Sequence, residues 1–199
     1  MPYSKPLQKR AVETQTRFLK ALDELLRDHA LEELSVAEIA EHAGLTKAAF
    51  MKRFGRKEQA LFVLFEIYAD QASLLMHHFV NTFDDYDQVE ELFYEMSRQF
   101  EVLLTEHFSA NRAMNEYAKR QLESHDLTKK IFVECIAMMK ALQSHFLADG
   151  FTDQGAASTA QLLVTIDFHY VMRAMPALPS DSQDRHRLIS QILNLAVRT

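Results

Sequence analysis

The 199-residue sequence predicts an all-α protein, and three observations carry that expectation. Glycine and proline number four each, and neither occurs between Gly55 and Gly150. Through that stretch apolar residues recur at three- and four-residue steps, the period of one helix face. No segment alternates apolar and polar residues long enough to make a half-buried strand.

Taken in order, Phe18, Leu22, Leu25 and Leu26 form the stripe of a first helix. Ser35 with Glu38 three residues on is a capping box, opening a short helix through about His42 whose inner face is Val36, Ile39, Ala40 and Ala43. Gly44 then stands where a helix ends in a left-handed residue. Leu45 sits in the turn and Thr46 N-caps a helix about two turns long, with Phe50 and Phe54 on its inner side. A fourth helix carries Leu61, Leu64, Phe65, Tyr68, Ala72, Leu75 and Phe79, and a further stripe runs from Val89 through Leu92, Phe93, Met96 and Phe100 to Leu104. Another holds Ile131, Phe132, Cys135, Met138, Met139, Leu142 and Phe146. Polar clusters at 81–87, 109–111, 124–126 and around Gly150 mark breaks, which gives about nine helices. The last two, from about Asp153 to Met175 and from about Ser180 on, are apolar over more of their circumference than one core face needs. That surplus predicts self-association through the two final helices.

Net charge is −6, an unpromising figure for a partner of DNA until it is divided along the chain. Residues 1–57 carry 11 Lys+Arg against 8 Asp+Glu, and residues 58–199 carry 11 against 20. The positive end is therefore the N-terminal one, where a small part would meet a polyanion. Cys135 is the one cysteine, which rules out an internal disulfide and fits a reducing compartment. No apolar run follows the charges at the start, and none reaches membrane-spanning length, so a cytoplasmic protein without a signal peptide or membrane partner is expected.

Two short helices joined at Gly44 read as a helix-turn-helix whose second helix enters a major groove. At 100° per residue Phe50 and Phe54 point one way, while Ala48, Ala49 and Lys52 point roughly opposite. Small side chains there permit close approach to base edges; Lys47, Lys52 and Arg53 offer charge to phosphates or guanine acceptors.

Over residues 11–62 the sequence resembles the TetR family. The pattern runs from a first helix at Thr16–His29 through Leu34-Ser35-Val36, Ile39-Ala40 and Ala43-Gly44-Leu45-Thr46-Lys47 to Phe54, Lys57-Glu58 and Leu61. The resemblance implies DNA-facing positions at Lys47, Ala48, Ala49, Met51, Lys52 and Arg53, and a phosphate contact by Lys57; Ser35 and Thr46 at the helix starts complete the set. Ala49 stands where the family often has a hydroxyl, and Met51 where it usually has a tyrosine, whose hydroxyl is thereby lost. The resemblance also implies a DNA-binding domain at 1–57, an effector-binding and dimerisation domain at 58–199, and a homodimer paired through its last two helices. Such a dimer reads a pseudo-palindromic operator on double-stranded DNA and acts as a repressor released by a small molecule.

Other features admit two readings each. Phe65, Tyr68, Phe93, Met96, Phe100, Met138 and Met139 suit a mostly apolar effector pocket or a solid core. His169 suits a polar contact in that pocket or an interface histidine. Cys135 reads as a small core residue. His77 and His78 point in different directions on a helix, and none of the nine histidines follows a glutamate by three residues, so no metal site and no other cofactor is expected. Rivals are an activator or a nucleoid-associated protein without ligand control and, from another class, a helical-bundle enzyme or carrier. For an enzyme the sequence offers no nucleophile constellation and no phosphate-cradling glycine loop.

Overall fold

The computed structural model describes residues 9–120, 125–146, 157–158, 160–162, 165 and 181–197. The regular secondary structure of these residues is helical, as the periodicity predicts. The α-helices are α1 (Lys9–Leu25), α2 (Val36–His42), α3 (Lys47–Phe54), α4 (Lys57–Asn81), α5 (Val89–Glu106), α6 (Phe108–Ala118), α7 (His125–Phe146) and α8 (Ser182–Val197). Short 3-10 turns at Leu31–Glu33 and Phe83–Asp85 fill two of the connections. No described helix is long and apolar enough to cross a membrane.

Two boundaries differ from the sequence reading. The first helix is already formed at Lys9 and ends at Leu25, where the chain unwinds through turns to His29. The polar cluster Ser109–Asn111 is no break: it lies in the first turn of α6, and the break falls at His107. Asn111 is buried there and donates its amide hydrogen to the His107 carbonyl at 3.0 Å, so its polar group serves the helix start.

The helices gather into two compact units. One contains the chain up to Tyr68 together with 107–124, and the other contains 69–106 and the chain from His125 on. The first unit thus joins α1–α3 and the opening turns of α4 to α6, a grouping that a division at 57/58 does not anticipate. Its core is an aromatic triad: Phe18 meets Phe50 edge-on at 5.2 Å and Phe54 at 6.0 Å, and Phe50 and Phe54 lie 5.0 Å apart. All three are buried, with Leu22, Leu26, Ile39 and Leu61 also fully enclosed in this unit.

Arg112 explains how α6 joins this unit. Its guanidinium donates to the Leu26 carbonyl and, less closely, to those of Arg27 (3.4 Å) and His29 (3.3 Å), the oxygens that the ending of α1 leaves unpaired. Arg120 follows with an ion pair to Glu32 at 2.6 Å, and Phe62 of α4 packs edge-on against Tyr117 at 5.3 Å.

The second unit is built on the α5 stripe, where Val89, Leu92, Phe93, Met96, Phe100, Leu103 and Leu104 are all buried as the spacing predicts. Cys135, Met138, Met139 and Leu142 are the buried face of α7. Asp181 caps α8 by accepting from the Asp184 amide at 3.1 Å, and α8 packs antiparallel on α5. Phe168, His169 and most of the 153–175 stripe lie outside the described residues.

Candidate DNA interface

The helix-turn-helix is assembled from local bonds that its sequence specifies. Ser35 Oγ accepts from the Glu38 amide at 3.2 Å, and the Glu38 carboxylate accepts from the Ser35 amide at 2.7 Å, closing the capping box. Those bonds hold the Glu38 carboxyl below the usual carboxylate range. At the turn Gly44 adopts φ +62°, and the Leu45 amide reaches back to the Ala40 carbonyl at 2.9 Å. Arg17 of α1 donates to the carbonyls of Ala43 (2.7 Å) and Gly44 (3.0 Å); a Cβ on Gly44 would stand 2.9 Å from that guanidinium nitrogen. Glycine is favoured here by φ, and any side chain would also have to push the Arg17 guanidinium off its position. His42 at the end of α2 meets Glu24 of α1 at 2.9 Å, and that bond lowers the Glu24 pKa.

Thr46 Oγ1 accepts from the Ala49 amide at 3.2 Å and starts α3; Gly55 at φ +74° ends it. Phe50 (0% exposed) and Phe54 (3%) anchor one side of α3 in the aromatic core. Lys47, Ala48, Met51 and Lys52 are exposed and form one continuous face. Ala49 and Arg53 are half-buried at its margin. Between Glu41 and Glu58 the chain carries Lys47, Lys52, Arg53, Arg56 and Lys57 and no carboxylate, so this face is positive without competition from its own neighbours. An exposed, short, basic helix with two small residues at its start can offer hydrogen bonds and charge to a groove.

Lys57 is placed differently from the other basic residues. Its ammonium donates to the backbone carbonyls of Leu31 (2.7 Å), Glu32 (3.1 Å) and Leu34 (2.7 Å). Three acceptors match its three protons, so a phosphate contact would have to displace one of them. Lys57→Ala is therefore expected to destabilise the unit by about 2 kcal/mol, the order lost with charge-assisted bonds to backbone. The salt dependence of DNA binding should stay as steep as in the parent protein. Urea denaturation and a salt series read the two effects separately, and a slope flatter by about one unit would assign Lys57 to a phosphate.

The residues named for an effector fall in both units. Phe65 and Tyr68 are buried in the first, 5.3 Å apart, with the His107 ring 5.8 Å from Tyr68. Phe93, Met96, Phe100, Met138 and Met139 are buried in the second. A separate groove of about 550 Å³ in the second unit is lined by Gln88, Glu91, Tyr94, Gln183, Arg187 and Gln191 among others. Also in this unit, Ser97, His186 and Glu101 form a hydrogen-bonded chain in the order of a nucleophile, base and acid. Ser97 is 0% exposed within a helix, so its hydroxyl cannot meet a substrate. Among the described residues no group of three or more His, Cys, Asp or Glu is disposed to hold a metal ion.

Residues that the sequence reading passed over are Arg17, Arg112 and Arg185. Each is an arginine spent on oxygens inside the fold, and nothing in its local sequence distinguishes it from a solvated one.

Comparison with known proteins bears on this site directly. Residues 18–63 match the family model of bacterial regulatory proteins, tetR family. No curated protein matches the chain. Several solved structures share its fold. A putative TetR-family transcriptional regulator from Mesorhizobium loti is 16% identical, with a TM-score of 0.72 over 94% of this chain and 98% of that one. The fatty acid degradation regulator FadR from Bacillus halodurans is 14% identical, with a TM-score of 0.63 over 95% and 96%. AibR, solved in complex with isovaleryl coenzyme A and operator DNA, is 17% identical, with a TM-score of 0.66 over 90% and 97%.

Proposed function

Because residues 18–63 match the tetR family of bacterial regulatory proteins and the whole chain shares the fold of solved tetR-family regulators, we propose that it is a member of that family: a cytoplasmic repressor, a homodimer that leaves its operator when a small, mostly apolar effector binds. A DNA-binding regulator is the role that the family and the fold support. The observation that carries the reading is α3: two turns anchored through Phe50 and Phe54, presenting Lys47, Ala48, Met51 and Lys52 on an exposed face free of carboxylates. Residues 1–57 serve as the reading part and 58–199 as the part that dimerises and takes the effector.

In this reading Lys47, Ala48, Ala49, Met51, Lys52 and Arg53 face DNA, with Ser35 and Thr46 at the helix starts. Ser35 and Thr46 accept their capping amides through oxygen, which leaves each hydroxyl hydrogen to donate to a phosphate beside the exposed charges of Lys47 and Lys52. Lys57 braces the loop before α2. The dimer forms through the last two helices; Leu188 and Ile192 of α8 are only half-buried within one chain, which suits them to a partner. The effector reading draws support from the buried aromatic and methionine side chains and from AibR, a structure of the same fold that holds an acyl coenzyme A. For a 100-fold loss of operator affinity the effector must prefer the released state by about 2.7 kcal/mol.

Lys52→Ala tests the site. If the side chain reaches a guanine, the substitution costs roughly 1–3 kcal/mol and relaxes one position in each half-site. Fluorescence anisotropy with a panel of single-position operator variants measures it. An unchanged preference at every position would move Lys52 to the phosphate backbone.

A further inference from the structure

The contact between α5 and α8 contains a buried charged cluster that the DNA-binding reading does not use. Arg185 (1% exposed) sets one guanidinium nitrogen 2.9 Å from both oxygens of Glu101. The His186 ring lies beside them, with Nε2 at 3.1 Å from Glu101 and Nδ1 at 3.0 Å from Ser97 Oγ. Tyr94 packs edge-on against the same ring at 5.8 Å, and Ser190 donates to the Glu90 carbonyl one turn further along α8.

Hydrogen-bond roles in this cluster follow from its acceptors. A carboxylate paired with arginine only accepts, so His186 Nε2 carries the hydrogen; Nδ1 is then the acceptor and the Ser97 hydroxyl donates to it. That is a complete arrangement for a neutral imidazole. The charges around it are also complete. Glu101 is matched by Arg185, and the other nearby carboxylate, Glu95, is held by Arg98 at 2.6 and 2.8 Å and by Gln99 at 2.6 Å. The charged groups facing His186 are thus Glu95, Arg98 and Glu101 from α5 and Arg185 from α8 itself, two of each sign.

A proton added to His186 would place a second buried positive charge beside Arg185, with no unclaimed carboxylate among the described residues facing it. It would also turn Nδ1 into a donor facing a donor, until the Ser97 hydroxyl rotated away. We propose that Ser97, Glu101, Arg185 and His186 form a proton-sensitive latch that holds α8 on α5 while His186 is neutral and loosens when it is protonated.

Burial, then the Arg185 charge, outweighs the attraction of Glu101 and keeps the His186 pKa below its ordinary 6.5. A group whose folded pKa is depressed takes up its proton more readily in the unfolded chain. The latch therefore contributes its full stability above about pH 6.5 and loses it progressively as pH falls toward the folded value. Each unit of depression makes opening about tenfold easier once the site is fully protonated.

The test uses the full chain. Proton NMR of the imidazoles, with His186 assigned by its absence in His186→Gln, should give a midpoint below 6.5; a midpoint at or above 6.5 overturns the proposal. Glutamine can accept from Ser97 and donate to Glu101 as neutral histidine does, but it does not titrate. Urea midpoints should therefore fall more from pH 7.5 to pH 5.5 in the parent than in His186→Gln, and parallel falls would contradict the latch. If the variant does not fold, His186 is assigned by through-bond NMR in the parent, and its midpoint decides alone. Sedimentation at both pH values adds the consequence that rests on the dimer reading, a shift toward monomer at pH 5.5 in the parent only. A parent already monomeric at pH 7.5 ends the dimer reading and leaves the latch to the other two measurements.

Discussion

Phe50→Ala is expected to destabilise the DNA-reading unit by about 3–5 kcal/mol, the usual cost of emptying a fully buried aromatic site. Phe50 is 0% exposed and meets both Phe18 and Phe54, so truncation removes two ring contacts and leaves a void where α1 and α3 touch. A loss of that size is a large share of the stability of any domain. Operator binding should disappear under conditions where most of the helical signal survives, because α5, α7 and α8 belong to the other compact unit. Urea unfolding followed by circular dichroism, beside anisotropy with duplex DNA, reads both effects. An unchanged early transition would mean that α3 is not held by this triad.

Arg185→Met is expected to cost about 3 kcal/mol, at the lower end for breaking a buried pair because Glu101 keeps roughly a fifth of its side chain in water. The loss arises mainly from stranding Glu101, so it should be largely reversed by adding Glu101→Gln. That double variant removes both charges and keeps an acceptor for His186 Nε2. Thermal unfolding of parent, single and double variants at pH 7.5 gives the comparison. A double variant no more stable than the single one would show that the arginine acts through packing of its stem, not through the charge pair.

What the sequence disclosed and what it hid follow from how far apart the interacting residues lie. The capping box of Ser35 and Glu38, the left-handed Gly44 and the pair Phe50–Phe54 are local patterns, within four residues of their partners, and each is found where its spacing places it. The α5 stripe was legible for the same reason. Arg112, by contrast, meets a carbonyl 86 residues earlier, and neither end of that bond leaves a periodic trace. The grouping of α6 with α1–α3 was hidden with it. Arg185 and His186 stand in a polar run that reads as the solvated start of a helix, yet α5 covers both. Lys57 was placed by resemblance at a phosphate, whereas its three protons point to Leu31, Glu32 and Leu34 inside its own unit. Backbone acceptors are invisible in a sequence, and Arg112 and Lys57 both spend their donors on them, while Arg185 meets a carboxylate 84 residues away.

Selection of binding sites from random duplex DNA tests the central claim most directly. The account predicts enrichment of an inverted repeat, its half-sites about one helical turn or a multiple apart, and affinity that falls steeply with salt as counterions are released from phosphates. No enriched sequence, together with no detectable duplex binding at low salt, would contradict it.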